Sequence, residues 1–579
     1  MGNRAIHWNK KDMRTHLAII DGEKAPSIVL HDATYLNTAL KKWMKANIWI
    51  YNDRIVYVGP ELPKKPAKEM IDCSNRFIVP GYIEPHAHPF FIYNPLTLAK
   101  FAAKHGTTTV INDNLLLFVH LDFEKALSVI DTFDNMPSSI YWWARYDSQS
   151  EMEDEDLIFT NGKVKQWLSH PSVLQGGELT GWPKVLAGND EILHWMQETM
   201  KLGKKIEGHF PGASYKTLTK MALLGVDADH EAMTGEEVVN RLSAGMTASL
   251  RYSSIRPDLP KLLREMRELG VDNFDRVIFN TDGSTPAFYE QGMQDRMIEI
   301  ALEEGIPTEE AYPMASYNIA RHYGIDNLLG MIAPGRIAHL NVLESKDNPR
   351  PISVMAKGQW VLVDGKDTYP PFQAPWETYG IKPLRFDFDV TEDDIMFSLP
   401  VGIELINSVV TKPYNINIDA SVRELSTDHD ESFFTMIDRN GDWRVSTLLK
   451  GFATKVLGFA STFTNSGDLI LIGKNRKDMV MAFQQVKEMG GGISLVEHGK
   501  VVCNIPLQIR GMMSIEPMEE LIKIQKDLEE KLKARGYPHD DPIYSLMFFS
   551  STHLPYIRAT QKGLFEIKNR TVLFPSIMR

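Results

Sequence analysis

Cysteine is nearly absent from this 579-residue chain, which holds only Cys73 and Cys503. Two thiols so far apart exclude a disulfide framework and a structural zinc site built on several thiolates. Such sparse cysteine fits a reducing compartment, so a cytoplasmic protein is expected. The sequence has no apolar run of about 18 residues, the length a membrane-spanning helix needs. The first residues, MGNRAIHWNKKDMRTH, hold no apolar export core. Ile6 stands where a lipidation signal beginning at Gly2 would need Ser or Thr. Clustered positive charge is missing too. A formal net charge of −12 and a pI near 5.8 argue against a broad phosphate-binding surface, so neither nucleic acid nor membrane is an expected partner. A P-C-x-x-C motif is lacking, which excludes the cytidine-deaminase type of nucleobase enzyme. Solenoid repeats and low-complexity tracts are absent as well.

What remains is an ordinary globular composition, 43% hydrophobic and 24% charged. The length is enough for about three domains at roughly 100–200 residues each. Residues 27–80 read as short β runs broken at Asn-Asp and Gly-Pro turns. Residues 81–330 alternate strand and helix. Eight strand candidates (VPGYIEP, GTTTVIND, SIYWWARY, VLQGGEL, KKIEGHF, GVDADHE, MTASLRY and RVIFNTD) are separated by segments such as DEILHWMQETMKLG, with apolar residues at three- and four-residue spacing. Eight such units in about 250 residues predict an α/β fold, one (β/α)₈ TIM-like barrel. Residues 331–384 return to short β runs and are expected to complete a composite β domain with 27–80. The proline-rich PPFQAPWE reads as a linker, and 385–579 as a separate C-terminal α+β domain.

In such a barrel, catalytic groups sit at the C-terminal strand ends. The eight candidates end in His86-Ala87-His88, Asn112-Asp113, Arg145 with Asp147, Glu178, His209, His230-Glu231, Arg251 and Asp282. Side chains at i and i+2 of a strand share one direction, so His86 and His88 present two imidazoles to one point. Glu178 could bridge two metals about 3.5–4 Å apart, with His209 and His230 at the second and Asp282 as ligand and proton acceptor. The ordinary readings are a hydrogen-bonded structural His209, a solvated Glu178 and an Arg251 that merely pairs with a structural acid. Asp113 stands evenly between a helix cap and a site role. The aromatics of YWWARY read as core and the acidic run at 151–156 as a solvated loop. His105, His120, His170, His194 and His322 read as structural.

The phrases VPGYIEPHAH, GGEL, EGHFPG, DHEAMT, NTDGS and IAPGRIAHLNVL resemble the amidohydrolase superfamily. With LLKGFATKVLGFAST and MGGGISLVEHGKVVCNIPLQIRGMMS in the last domain, the chain resembles its adenine deaminases from about residue 27 onward. The resemblance implies one or two divalent ions, Mn2+ first with Fe2+ or Zn2+ as alternatives, held by His86, His88, Glu178, His209, His230 and Asp282. It implies Asp282 and Glu231 as catalytic groups, and a small heterocycle such as a purine base as substrate, with a homo-oligomer left open. Arg251 and Phe90 are the candidate substrate contacts. Three departures stand out: Pro89-Phe90-Phe91 replaces an Ile-Glu-Ser stretch, Gly283 replaces an aspartate, and FTNSGD lacks the histidines usual there. The reaction expected is hydrolytic deamination of adenine. Opening of a cyclic amide on the same metal site, or a binding or regulatory protein without turnover, are the alternatives.

Overall fold

The computed structural model describes residues 8–152 and 155–579. The lipidation reading at Gly2 and Ile6, and positions 153 and 154 of the acidic run, lie outside the described residues. Asn9 and Asp12 form a reciprocal capping box that starts a helix, Lys10–Ile20. Five strands follow: β1 (Ile28–Asn37), β2 (Lys42–Tyr51), β3 (Arg54–Gly59), β4 (Glu69–Asp72) and β5 (Phe77–Pro80).

Strand β5 runs into the first of eight barrel strands: β6 (Tyr82–Ala87), β7 (Thr107–Asp113), β8 (Ser139–Ala144), β9 (Val173–Leu179), β10 (Lys205–Gly208), β11 (Ala228–Asp229), β12 (Thr247–Arg251) and β13 (Val277–Asn280). Each pairs in parallel with its neighbour in chain order, and β13 packs back against β6, so the barrel is nearly closed. The strands match the eight read from sequence. They are legible because a parallel sheet is buried on both faces and selects near-continuous apolar runs; Trp142 and Trp143 of β8 are fully buried.

Four further strands follow the barrel: β14 (Leu340–Leu343), β15 (Ser353–Ala356), β16 (Gln359–Val363) and β17 (Lys366–Asp367). They join β1–β5 in one sheet of order β17-β16-β15-β14-β5-β1-β2-β3, with β4 alongside β1. The seam is the antiparallel β14–β5 pair, in which Leu340 faces Pro80 and Leu343 faces Phe77. Proline-rich residues 370–377 are not a free linker. Phe372 and Trp376 pack on Phe133 of the barrel layer at ring separations of 6.5 and 6.2 Å.

The C-terminal domain is built on a second large sheet of order β19-β18-β21-β20-β23-β22-β24-β25. Its strands are β18 (Val401–Leu405), β19 (Thr411–Asn415), β20 (Ser432–Ile437), β21 (Trp443–Lys450), β22 (Gly458–Ser461), β23 (Leu469–Gly473), β24 (Gly492–Glu497) and β25 (Lys500–Pro506). Helix Arg476–Met489 covers it and ends at Gly490, whose φ of 70° is the left-handed cap that glycine adopts without steric cost. Helix Pro542–Phe548 leaves this sheet and reaches the barrel mouth, where Tyr544 packs on Phe91 at 4.7 Å between rings. Of the described residues in the acidic run at 151–156, expected to be a solvated loop, Asp156 is exposed but Glu151 and Glu155 are engaged. Glu151 is buried against Lys562 and Arg570 of the C-terminal domain, and Glu155 accepts from Ser148 Oγ at 2.7 Å. Among the described residues no helix is long and apolar enough to cross a membrane.

One apolar cluster runs unbroken from barrel residues such as Phe91, Leu116 and Trp167 into Phe459, Met513 and Tyr544 of the C-terminal domain. Domains joined by a large apolar interface lose their independence. The full chain is therefore expected to unfold in a single calorimetric transition, and a chain ending at residue 384 to be insoluble or to bind a hydrophobic dye. Two well-separated transitions would contradict this shared core.

Candidate active site

Six side chains meet at the C-terminal mouth of the barrel. His86 lies on β6 and His88 just beyond it; Glu178 lies on β9; His209, His230 and Asp282 follow the ends of β10, β11 and β13. His86 Nε2 and His88 Nε2 are 3.2 Å apart, and Asp282 Oδ1 lies 3.2 and 3.3 Å from them. Glu178 divides its two oxygens. Oε2 faces His88 Nε2 at 3.7 Å and His86 Nε2 at 3.9 Å, while Oε1 faces His209 Nδ1 at 2.6 Å and His230 Nε2 at 3.5 Å. Three overlapping donor groups result, His86–His88–Glu178, Glu178–His209–His230 and His86–His230–Asp282. All six residues of the predicted ligand set are brought together.

A second ring of residues fixes this geometry. Glu207 on β10 places Oε1 3.1 Å from His230 Nδ1 and 3.3 Å from His86 Nδ1, the latter an ionic contact off the hydrogen-bond line. Asp113 Oδ2 takes His88 Nδ1 at 3.0 Å, while Oδ1 accepts the Leu115 amide at 2.9 Å, so this residue serves both the site and the following turn. With their Nδ1 atoms turned to carboxylates, His86, His88 and His230 direct Nε2 inward, the atom a metal would take from the neutral imidazole. Arg145, fully buried, contacts Asp113 Oδ2 at 2.5 Å and Glu178 Oε2 at 2.8 Å. Glu207 escaped sequence reasoning because nothing marks an acid on a short strand interior. Its spacing, two residues before His209, was the available signal.

Charge explains why the site fits divalent ions. Five buried carboxylates, Asp113, Glu178, Glu207, Glu231 and Asp282, meet three guanidiniums, Arg145, Arg251 and Arg256, the last shared with Asp258, so with the imidazoles neutral, as ligands must be, negative charge is in excess. An uncompensated buried charge costs several kcal/mol. Burial opposes ionisation of Asp282, but Arg251, His86 and His88 outweigh it and hold the carboxyl well below its usual range. Glu178 is likewise held down against burial by Arg145 and His209. Burial and His230 act to lower the His86 pKa, yet Glu207 and Asp282 push it up to about 9. Oxygen and imidazole donors crowded this way suit borderline divalent ions.

The candidate substrate residues divide. Phe90 and Phe91 line a cavity of about 160 Å³ above the donor groups, as do Glu231 and Arg251. Arg251 is locked between Glu231 Oε1 at 2.7 Å and Asp282 Oδ2 at 2.6 Å. Glu231, a catalytic candidate by resemblance, is held ionised. Burial raises its pKa, but His209, Arg251, His230 and Arg256 bring it down to about 2. Asp282 does not cap a helix: the next one begins after Thr285. It sits at φ +49°, a conformation that costs a non-glycine residue about 1–3 kcal/mol and clusters at functional sites. Gly283 follows at φ +64°, where a Cβ would lie 2.6 Å from the His88 backbone nitrogen, so this position has no room for an aspartate. The C-terminal domain supplies the far wall through Asn465, Tyr544, Met547, Phe548 and His553, none of which sequence reasoning found. Of the histidines read as structural, His105 and His170 pair with Asp295 and Asp131, His322 with Thr247, and His194 is exposed.

Two outcomes follow from the ring of acids. Glu207→Gln should weaken metal affinity about 10–100-fold, the usual worth of an outer partner, with folding kept; unchanged affinity in a metal titration would contradict its role. Asp113 and Glu231, both brought down to about 2, contribute stability that is present above their unfolded values near 4–4.5 and is lost as pH falls through about 2. His86 works in the opposite sense in the metal-free chain. Its contribution is full below about 6.5 and is lost as pH rises through about 9. Because a ligating imidazole must be neutral, metal affinity should increase from pH 6 to 9 with proton release on binding; a pH-independent affinity would count against His86 as a ligand.

Comparison with known proteins places this site in a family. An amidohydrolase family model matches residues 77–361 and an adenine deaminase C-terminal domain model matches residues 408–571. A Halalkalibacterium halodurans protein named “Putative adenine deaminase” is 58% identical, covering 100% of both chains. A Bacillus subtilis protein of the same description is 50% identical, again over 100% of both. The “Adenine deaminase” of Clostridium acetobutylicum is 26% identical over 95% of this chain and 97% of its own. Likeness over the whole length, barrel and C-terminal domain together, settles membership: the chain belongs to the adenine deaminase family of the amidohydrolases.

Proposed function

We propose that this enzyme hydrolyses the exocyclic C–N bond of adenine or a closely related aminopurine, giving hypoxanthine and ammonia from adenine and water. The observation that carries the reading is the division of the Glu178 carboxylate between two histidine pairs, with Asp282 beside the first pair. His86, His88, Glu178, His209, His230 and Asp282 would hold one or two divalent ions, manganese foremost, with iron(II) or zinc as alternatives. Such an ion supplies Lewis acidity that makes hydroxide available from water near pH 7.

The protein's own groups do the rest. Asp282 directs Oδ1 at the histidine pair and takes the proton of the attacking water there. It hands that proton to the departing exocyclic nitrogen, so water adds to the ring carbon and ammonia leaves with the C–N bond. Arg251 grips Asp282 Oδ2 and Glu231 Oε1 and so holds both carboxylates in register. Glu231, ionised, accepts a hydrogen bond from an N–H of the heterocycle. Phe90 and Phe91 give the cavity an apolar side against which a flat base lies, and the enclosing C-terminal wall keeps bulk water from the reacting atoms. A small-molecule purine is the partner this geometry suits.

Asp282→Asn tests the reading. Ammonia release from adenine by manganese-loaded protein should fall about 10²–10⁴-fold, the usual worth of general acid–base catalysis. Stability should drop modestly, because Arg251 keeps Glu231. Full activity in this variant would contradict Asp282 as the proton carrier. Cyclic amides assayed in parallel distinguish ring opening from deamination.

A further inference from the structure

The C-terminal domain places an imidazole at the cavity. Two contacts to the barrel fix it, the Thr552 amide donating to Gln149 O at 3.0 Å and Ser150 Oγ to Ser550 O at 3.0 Å, and within its own domain Arg558 Nη2 donates to Pro555 O at 2.7 Å and Val409 O at 2.8 Å. His553 is the residue held between these anchors. Its ring lies edge-on to His209 at 5.8 Å and to Phe548 at 5.8 Å, and it lines the cavity over the donor groups.

Its hydrogen-bonding capacity is unspent. Nδ1 is covered and has no hydrogen-bond partner. The donors of the other polar groups in this wall turn to backbone carbonyls. Asn465 Nδ2 turns to the Gln149 and Ser148 carbonyls at 3.4 and 3.5 Å, and Tyr544 Oη donates to Gly283 O at 3.4 Å. The remainder is apolar, with Met547, Phe548 and Leu554 among it. A flat heterocycle enclosed there would leave the ring nitrogens that face this wall unpaired, and a buried unpaired polar group is costly. An uncommitted imidazole in an otherwise apolar wall supplies the missing partner.

We propose that His553 is a substrate-contacting specificity residue, which recognises a nitrogen heterocycle by hydrogen bonding to the ring edge away from the reacting carbon. Chemistry at the barrel strands is thereby joined to recognition by the C-terminal domain. The inference deepens the reading above and rests on it for the class of ligand.

The test uses full-length, manganese-loaded protein and hypoxanthine as probe, with binding read by equilibrium dialysis and ammonia release from adenine assayed alongside. His553→Phe keeps a ring of similar size without hydrogen-bonding atoms, and should raise the hypoxanthine Kd about 10-fold or more while the metal content stays at the wild-type level. His553→Gln should recover part of the loss. Should the Phe variant not fold, His553→Ala is read in its place, with the same expectation. Wild-type affinity in a folded Phe or Ala variant overturns the inference, as does a loss confined to metal content. If wild type binds hypoxanthine through His553 yet releases no ammonia from adenine, deamination fails and the recognition role stands. If wild type neither binds hypoxanthine nor releases ammonia, both fall.

Discussion

A carboxylate buried as deeply as Glu178 would protonate on its own, because removing a charge from water costs more than a lone group can recover. Arg145 prevents this at 2.8 Å, and the same guanidinium holds Asp113, which in turn orients His88. Glu178 is thus kept charged at the junction of two histidine pairs that come from opposite parts of the barrel. Strands β6, β9, β10, β11 and β13 must all end at the right height for one carboxylate to reach both pairs. The nearly closed parallel barrel does this by register, with its interior packed and its mouth left polar.

Much of this was legible in the sequence, and for physical reasons. A strand buried on both faces is written as an apolar run, so RVIFNTD and SIYWWARY marked β13 and β8 unaided. The candidate ligands were legible because each stands at the C-terminal end of a strand candidate, the end where a barrel places its site. The outer ring was not. Glu207 sits inside KKIEGHF with the spacing of any charged strand residue, and its value lies in two imidazoles that reach it from β6 and from the end of β11. The roles of the C-terminal domain were hidden by distance along the chain. Nothing local in SSTHLPY says that His553 meets His209, 344 positions earlier in sequence. The acidic run at 151–156 misled in the same way: Glu151 resembles a solvated residue until Lys562 and Arg570 arrive from the far end of the chain.

Gly283 shows how a departure from a family pattern is explained by packing. The residue after Asp282 lies against the His88 backbone, so only a residue without Cβ fits. The strained Asp282 backbone and the bare Gly283 together bring β13 and the His86–His88 segment into direct contact. Loss of a carboxylate at that position and close support of the first histidine pair are two sides of one arrangement. The aromatic Phe90-Phe91 pair then closes the same side of the cavity with apolar surface, and the C-terminal helix Pro542–Phe548 seals it through Tyr544.

The most direct measurement of the central claim is a crystal structure of the manganese-loaded protein, with anomalous scattering used to locate the ions. The division of Glu178 between two histidine pairs predicts manganese at the barrel mouth, which Glu178 would hold together with His86 and His88, with His209 and His230, or with both pairs. Ions found elsewhere, or a Glu178 carboxylate turned away from both while the histidines ligate, would contradict it.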